Sequence, residues 1–215
     1  MTTPFRLHAG DTAPAQQTGT TCGSASLTVA RMLVNPAFAA WIRGGVRREG
    51  RAGGVSGALD VGTVAERFAT YEQVVAGRTN ALVGAGGKLQ LPWPRALGTP
   101  PWGARRELEF GASDPDADYD VTWLRLRSRA GLEQAYAALR ARVRDGRPAL
   151  LYVGNAALPR HVVLVMPPSA EQELDVYEPS TGRVLDLPGR AFVDRRLRLA
   201  GWDVPWAAVW DDSAR

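Results

Sequence analysis

The sequence predicts an α+β fold in which helices come first and an antiparallel sheet follows. Helical periodicity marks the first part of the chain, whereas short apolar runs separated by turn residues mark the last part. The 215 residues, 45% hydrophobic and 22% charged, are typical of one globular domain. We therefore expect a single domain over 1–215, with an extended arm at 1–15, a helical lobe at about 16–115 and a sheet lobe at about 116–215.

Three segments carry apolar residues at helical spacing, and each predicts a helix. The first begins at Ser24 and ends at Asn35, because the residue before Pro36 avoids the helical region. A second, shorter helix is expected over Val61 to Gln73. The clearest pattern lies in Gly131 to Arg144, which Asp145 and Gly146 end.

Two stretches between these helices are rich in glycine or proline, residues that interrupt helices and strands. Gly44 to Gly57 holds six glycines and is expected to form a mobile loop. Gly84 to Arg106 holds four prolines and five glycines, together with Trp93 and Trp102. We expect it to be an irregular rim whose two indoles contact a substrate, although surface packing would also explain both stretches.

The last part of the chain predicts a sheet. Its apolar runs are separated by turn signals at Pro167 to Pro168 and at Ser180 to Gly182. The expected elements are strands at Ala149 to Val153, Val162 to Met166, Leu174 to Tyr177 and Val184 to Leu187, a helix around Gly189 to Leu199, and a strand near Trp206 to Trp210.

Composition excludes several classes of protein. The formal net charge is only +4 and the arginines are spread along the chain, so no nucleic-acid partner is expected. No apolar run approaches the roughly 20 residues of a membrane span, and the first residues lack a secretory signal pattern. We therefore expect a cytoplasmic protein by default, with export by another route left open.

Cysteine and histidine are scarce. The chain has one cysteine, Cys22, and two histidines, His8 and His161. A single cysteine forms no internal disulfide, and no cluster supplies the four ligands of a structural zinc site. No metal or other cofactor is expected, and Cys22 is either a small buried apolar residue or a nucleophile.

Cys22 stands where a nucleophile is chemically favoured. The small, polar approach from Gln17 to Thr21 delivers it to the predicted start of the first helix. A helix amino terminus carries partial positive charge, which favours thiolate over thiol, and its free N–H groups can hold an oxyanion. Gln17 is a candidate second donor to that oxyanion. Gly23 would let a substrate approach the backbone closely.

A nucleophilic cysteine needs a base and an acceptor that orients the base. His161 opens an apolar strand and is the better base, whereas His8 lies in the arm. Glu178 follows the next strand, and an antiparallel hairpin could bring it beside His161. Asp175 is the competing acceptor, but strand alternation points it to the other face.

Together these residues carry a resemblance. The ordered set from Gln17 through Cys22-Gly23 to His161-Val162-Val163 and Tyr177-Glu178-Pro179 is similar to the papain-like cysteine peptidases. The bacterial branch of double-glycine leader peptidases is the most similar. The resemblance implies a helical lobe packed against an antiparallel sheet lobe, with the active site in the cleft between them.

The same resemblance implies roles for individual residues. Cys22 would be the nucleophile, His161 the base, Glu178 the orienting group, where the family usually has Asp or Asn, and Gln17 an oxyanion donor. We expect a cysteine peptidase or related amide hydrolase that acts on a peptide or protein. A deamidase or transglutaminase effector, and a silent peptide-binding module, are the alternatives. A protein inhibitor or immunity partner stays possible.

Overall fold

The computed structural model describes residues 4–45, 62–169 and 173–213. Helices occupy the first part of this region and a sheet dominates the rest, which confirms the predicted α+β class. The helices are α1 (Cys22–Val34), α2 (Pro36–Gly44), α3 (Val64–Asn80), α4 (Pro101–Glu107), α5 (Arg129–Arg142) and α6 (Gly189–Val193). The strands are β1 (Tyr119–Trp123), β2 (Ala149–Gly154), β3 (Pro159–Met166), β4 (Leu174–Glu178), β5 (Arg183–Leu187) and β6 (Val204–Asp211).

The strands form a six-stranded sheet with the order β1-β6-β2-β3-β4-β5. Every neighbouring pair is antiparallel. The apolar runs of β2 and β3 lie in the middle and are almost wholly buried, because helices cover both faces of the sheet. One core lies between the sheet and α1, α2 and α3, and the other lies under α5 and α6.

Local sequence explains how the first helices begin and end. Pro36 ends α1 after Val34, and the Asn35 side chain then caps α2 by accepting a hydrogen bond of 2.9 Å from the Phe38 N–H. At the start of α3, Thr63 and Glu66 form a reciprocal capping box. These caps fix the starts of the helices α2 and α3, which pack against α1.

The amino-terminal arm lies along β5. The Gly10 N–H donates to Val184 O over 3.0 Å, and the Val184 N–H donates to Asp11 O over 2.9 Å. The Ala13 N–H donates to Gly182 O over 2.8 Å. The arm therefore covers the edge of the sheet on its way to Cys22.

Several predicted boundaries are wrong. The helix expected over Val61 to Gln73 runs from Val64 to Asn80, because apolar positions such as Val75 continue its buried face. The helix expected around Gly189 to Leu199 ends at Val193, where the chain turns. The expected loop at Gly44 to Gly57 lies outside the described residues from position 46 onward.

Other elements differ from the expectation or were missed by it. The stretch Gly84 to Arg106 is not wholly irregular, since α4 begins inside it at Pro101. Strand β3 begins at Pro159, so His161 is its third residue rather than the residue that opens it. The clear helix of the sheet lobe, α5, is shifted by two residues toward the amino terminus. Helix α2 and strand β1 were not predicted.

No single helix in the described ranges is long and apolar enough to cross a bilayer. The helices α1 and α2 reach that length and composition only as a pair bent by 116°.

Candidate active site

Cys22 is the first residue of α1 and lies at the bottom of a cleft between the helices and the sheet. Its side chain is buried, with 5% exposure, yet it lines the cleft. Tyr152 on β2 lies beside it and donates a hydrogen bond of 3.0 Å to Thr99 O. A Cβ atom at Gly23 would come within 2.6 Å of the Thr99 Cβ, so Thr99 fills the space that the missing side chain leaves.

His161 is brought to the thiol by the central strands. It pairs with Val153 of β2 and lines the same cleft as Cys22. The Cys22 thiol lies close enough to the imidazole to raise the pKa of His161. The imidazole Nε2 lies 2.7 Å from Glu178 Oε1, which leaves Nδ1 as the nitrogen that can face the thiol. The imidazole thus connects the thiol to a carboxylate.

Glu178 reaches His161 across a strand pair. Continuing the register in which Leu164 pairs with Tyr177 puts Glu178 opposite Val163, two residues from His161. Side chains in this diagonal relation are within reach of each other when they are long. The glutamate side chain, longer than an aspartate by one methylene, spans this separation.

The turn after β4 holds the Glu178 carboxylate. Oε1 accepts the Ser180 N–H over 2.9 Å, and Oε2 accepts the Ser180 and Thr181 hydroxyls over 2.7 and 2.8 Å. The Thr181 N–H adds a bond of 3.1 Å to Oε2. Burial raises the pKa of Glu178, but the bonds from His161, Ser180 and Thr181 outweigh burial and lower the pKa from 4.5 to about 2. The carboxylate is therefore ionised.

The charge state of His161 follows from its two neighbours. Burial alone would lower its pKa, because it disfavours the charged imidazolium. Interactions with Cys22 and Glu178 outweigh burial and raise the pKa of His161 from 6.5 to about 9. The imidazole is thus protonated at neutral pH.

Gln17 lies outside the cleft lining in this structure. Its side chain is exposed, and its amide donates to Ala15 O over 3.4 Å. Its backbone N–H points inward and donates to both carboxylate oxygens of Glu72, each at 3.3 Å. Glu72 on α3 is fully buried, and this burial raises its pKa. Glu72 therefore fixes the backbone at Gln17, where the chain enters the turn that leads to Cys22.

The cleft itself has a volume of about 500 Å³ and mainly apolar walls. Trp93 and Trp102, both predicted to contact a substrate, lie in its lining. Two further indoles, Trp123 of β1 and Trp206 of β6, join them from the sheet. The sequence did not point to the second pair, because β1 was not predicted and Trp206 was assigned only to a strand.

The two competing residues lie elsewhere. His8 is exposed in the arm, where its backbone N–H donates to Asp11 Oδ2 over 2.9 Å. The Asp175 carboxylate accepts the Ala9 N–H over 3.1 Å and the Ser169 hydroxyl over 3.1 Å. Within residues 4–45, 62–169 and 173–213, no group of three or more His, Cys, Asp or Glu side chains could hold a metal ion.

Sequence reasoning missed the residues that support the site. Ser180 and Thr181 stand directly after Glu178, and hydroxyl residues in a turn after a carboxylate are a usable local signal. Glu72, Thr99 and Tyr152 gave no comparable signal, since each reaches the site from a distant part of the chain.

Comparisons with known proteins add little to this geometry. No protein-family model matches the sequence, and no curated protein matches it. Among solved structures, the chain is similar to that titled "Crystal Structure of Pseudomonas Avirulence Protein AvrPphB", with 12% identity and a TM-score of 0.47. That similarity covers 93% of this chain and 95% of the other. It is too distant to carry an argument about activity.

Proposed function

We propose that this protein is a cysteine-dependent amide hydrolase that cleaves a peptide or protein substrate through Cys22, His161 and Glu178. The observation that carries the proposal is the shared imidazole: His161 lines the same cleft as Cys22, lies close enough to its thiol for Cys22 to raise the pKa of the imidazole, and has its Nε2 2.7 Å from the Glu178 carboxylate. A nucleophile, a base and an orienting acceptor in this order are the parts of a catalytic triad. Cys22 and His161 line a cleft large enough for a peptide segment.

The chemistry follows from the charges. In the proposed reaction the Cys22 thiolate is the nucleophile and protonated His161 is the acid. The sulfur attacks a substrate carbonyl carbon, and the carbonyl oxygen becomes an oxyanion. When the carbon–nitrogen bond breaks, His161 gives its proton to the leaving amine, and a thioester remains. Neutral His161 then takes a proton from water, whose oxygen attacks the thioester; the carbon–sulfur bond breaks, which releases the acid and restores the Cys22 thiolate beside protonated His161.

The oxyanion needs hydrogen-bond donors. The Cys22 N–H is one candidate, because the first N–H groups of a helix have no acceptor within the helix. The Gln17 amide is the predicted second donor. It would have to turn from Ala15 O toward the cleft when substrate binds.

Alkylation of Cys22 by iodoacetamide tests the activated thiol, with intact mass as the readout over pH 5 to 10. We expect rapid alkylation of the wild type below pH 7. His161→Ala should slow the reaction toward that of an ordinary thiol. The matched control is His8→Ala, which removes the exposed histidine of the arm and should alkylate as the wild type does.

Slow alkylation of the wild type, with no change in His161→Ala, would refute the proposal and favour a silent binding module. Products separate the remaining alternatives once the thiol is shown to be activated. Peptide cleavage supports the hydrolase. Ammonia release without cleavage would instead indicate a deamidase, and incorporation of an added amine would indicate a transglutaminase.

A further inference from the structure

The cleft beside Cys22 has aromatic walls on both sides. Trp93 and Trp102 come from the chain before and at the start of α4, whereas Trp123 and Trp206 come from neighbouring strands of the sheet. Leu97 and Leu158 add exposed apolar surface to the lining. Two separate parts of the fold therefore present indole rings to the same space.

These indoles contribute apolar surface rather than hydrogen bonds. The Trp102 Nε1–H donates to Leu91 O and the Trp206 Nε1–H donates to Asn155 O, both over 2.9 Å. Trp93 and Trp102 pack edge to face, with ring centroids 5.2 Å apart at 90°. The Nε1–H groups of Trp102 and Trp206 already donate to backbone carbonyls. These two indoles therefore offer a ligand mainly the apolar carbon surface of their rings.

The charges in the cleft lining disfavour a basic side chain of a ligand. Among the described residues, the cleft lining contains no Asp or Glu side chain. Its charged groups are Arg160 and the protonated His161 beside the thiol. A lysine or arginine side chain in this cleft would lose water without gaining a counter-charge, which is costly. An apolar side chain carries no such penalty.

We propose that the cleft binds a peptide through a bulky apolar side chain, and that aromatic side chains bind best. The peptide becomes a substrate only if the proposed cysteine chemistry holds, but its binding does not depend on that chemistry. A cavity of about 500 Å³ lies within the range of sites that enclose a small ligand. The leader peptidases would recognise a double-glycine sequence. Glycine has no side chain, so such a sequence would make no contact with these aromatic walls.

The test measures binding in Cys22→Ala protein, which cannot cleave the probes. The probes are acetyl-Ala-Ala-X-Ala-Ala-amide peptides with phenylalanine, leucine, glycine, aspartate or arginine at X. Tryptophan fluorescence and isothermal titration give each dissociation constant. Burial of an aromatic side chain predicts that the phenylalanine peptide binds roughly 10- to 100-fold more tightly than the glycine peptide.

Variants of the cleft tryptophans test whether the preference for the phenylalanine peptide arises in the cleft. In the Cys22→Ala background, Trp102→Ala and Trp123→Ala should each reduce the phenylalanine-to-glycine ratio to about 3-fold or less. Trp123 is 60% exposed, so its variant remains informative if loss of the partly buried Trp102 disturbs folding. Leu126→Ala is the control: Leu126 is 92% exposed near the end of β1, outside the cleft lining, and its loss should leave the ratio unchanged.

Equal binding of the phenylalanine and glycine peptides would overturn the proposal, as would tightest binding of the arginine or aspartate peptide. A ratio that survives both tryptophan variants would also overturn it. The alkylation experiment reports separately on the cysteine chemistry. An unreactive Cys22 with a clear phenylalanine preference would refute the hydrolase and leave the apolar peptide site intact.

Discussion

His161 and Glu178 are 17 positions apart in the chain, and their side chains meet at 2.7 Å between Nε2 and Oε1. Both side chains are buried. The contact depends on a strand pair, since β3 and β4 are antiparallel neighbours. It also depends on the turn after β4, whose Ser180 and Thr181 hold the carboxylate in place.

Removing the negative charge of Glu178 should remove its effect on the pKa of His161. Glu178→Gln keeps the size of the side chain but removes the negative charge, so the pKa of His161 should fall from about 9 toward 6.5. We expect the alkylation rate of Cys22 at pH 7.5, and any peptidase activity, to fall on the order of 10²-fold. Glu173→Gln is the control, because Glu173 binds Tyr136 and the Gly189 N–H instead. An equal loss in both variants would contradict a specific role for Glu178.

The raised pKa of His161 also predicts how stability depends on pH. Its folded pKa of about 9 exceeds the ordinary 6.5, so the histidine stabilises the fold fully below pH 6.5, and this contribution is lost as pH rises through 9. The free energy of unfolding, from urea denaturation, should therefore fall more steeply between pH 6.5 and 9 in the wild type than in His161→Ala. Parallel curves would argue against the raised pKa.

The Glu178 carboxylate, which pairs with His161, affects the stability of the fold at acidic pH. The folded pKa of Glu178, about 2, lies below the ordinary 4.5, so its contribution is present above pH 4.5 and is lost as pH falls through 2. Glu178→Gln should flatten the loss of stability between pH 4.5 and 2, as followed by circular dichroism during acid titration. If the variant and the wild type unfold over the same acid range, the carboxylate is not held as described.

Glu72 should act as a positioning residue for the turn before Cys22. It is fully buried and accepts the Gln17 N–H with both oxygens. Glu72→Ala leaves that donor without its acceptor, which should cost about 1–3 kcal/mol of stability and slow alkylation of Cys22. Glu72→Gln keeps one acceptor oxygen and should restore part of both losses. An equal loss in the two variants would contradict this role, because the acceptor oxygen that Glu72→Gln retains would then hold nothing in place.

Gly182 should be needed for the arm to lie on β5. Its φ is +72°, and a Cβ atom there would come within 2.2 Å of Ala13 O. Gly87 has the same φ of +72° with no atom within 4 Å, so Gly87→Ala measures the backbone strain alone. We expect Gly182→Ala to destabilise the protein by more than Gly87→Ala, by roughly 1–3 kcal/mol, and to increase hydrogen exchange at Ala13. Equal losses would mean that the arm contact adds no stability.

Local sequence predicted the elements whose signals lie within a few residues. The end of α1 at Asn35-Pro36 follows from the steric effect of proline on the preceding residue. The strands β2 to β5 follow from apolar runs between turn residues. Strand β1 carried a weaker signal, since Asp120 and Thr122 interrupt its apolar residues and it is only partly buried.

The sequence by itself determined the α+β class, the order of the main elements, and Cys22 at the start of a helix. It also supplied the chemistry of the candidate site, because one cysteine and two histidines leave few choices. Strand alternation already favoured Glu178 over Asp175, but only the tertiary structure set the register of β3 and β4 that brings Glu178 against His161. It likewise decided that Glu72 holds the turn before Cys22 and that four indoles line one cleft. Contacts between distant parts of a chain depend on packing that no local pattern encodes.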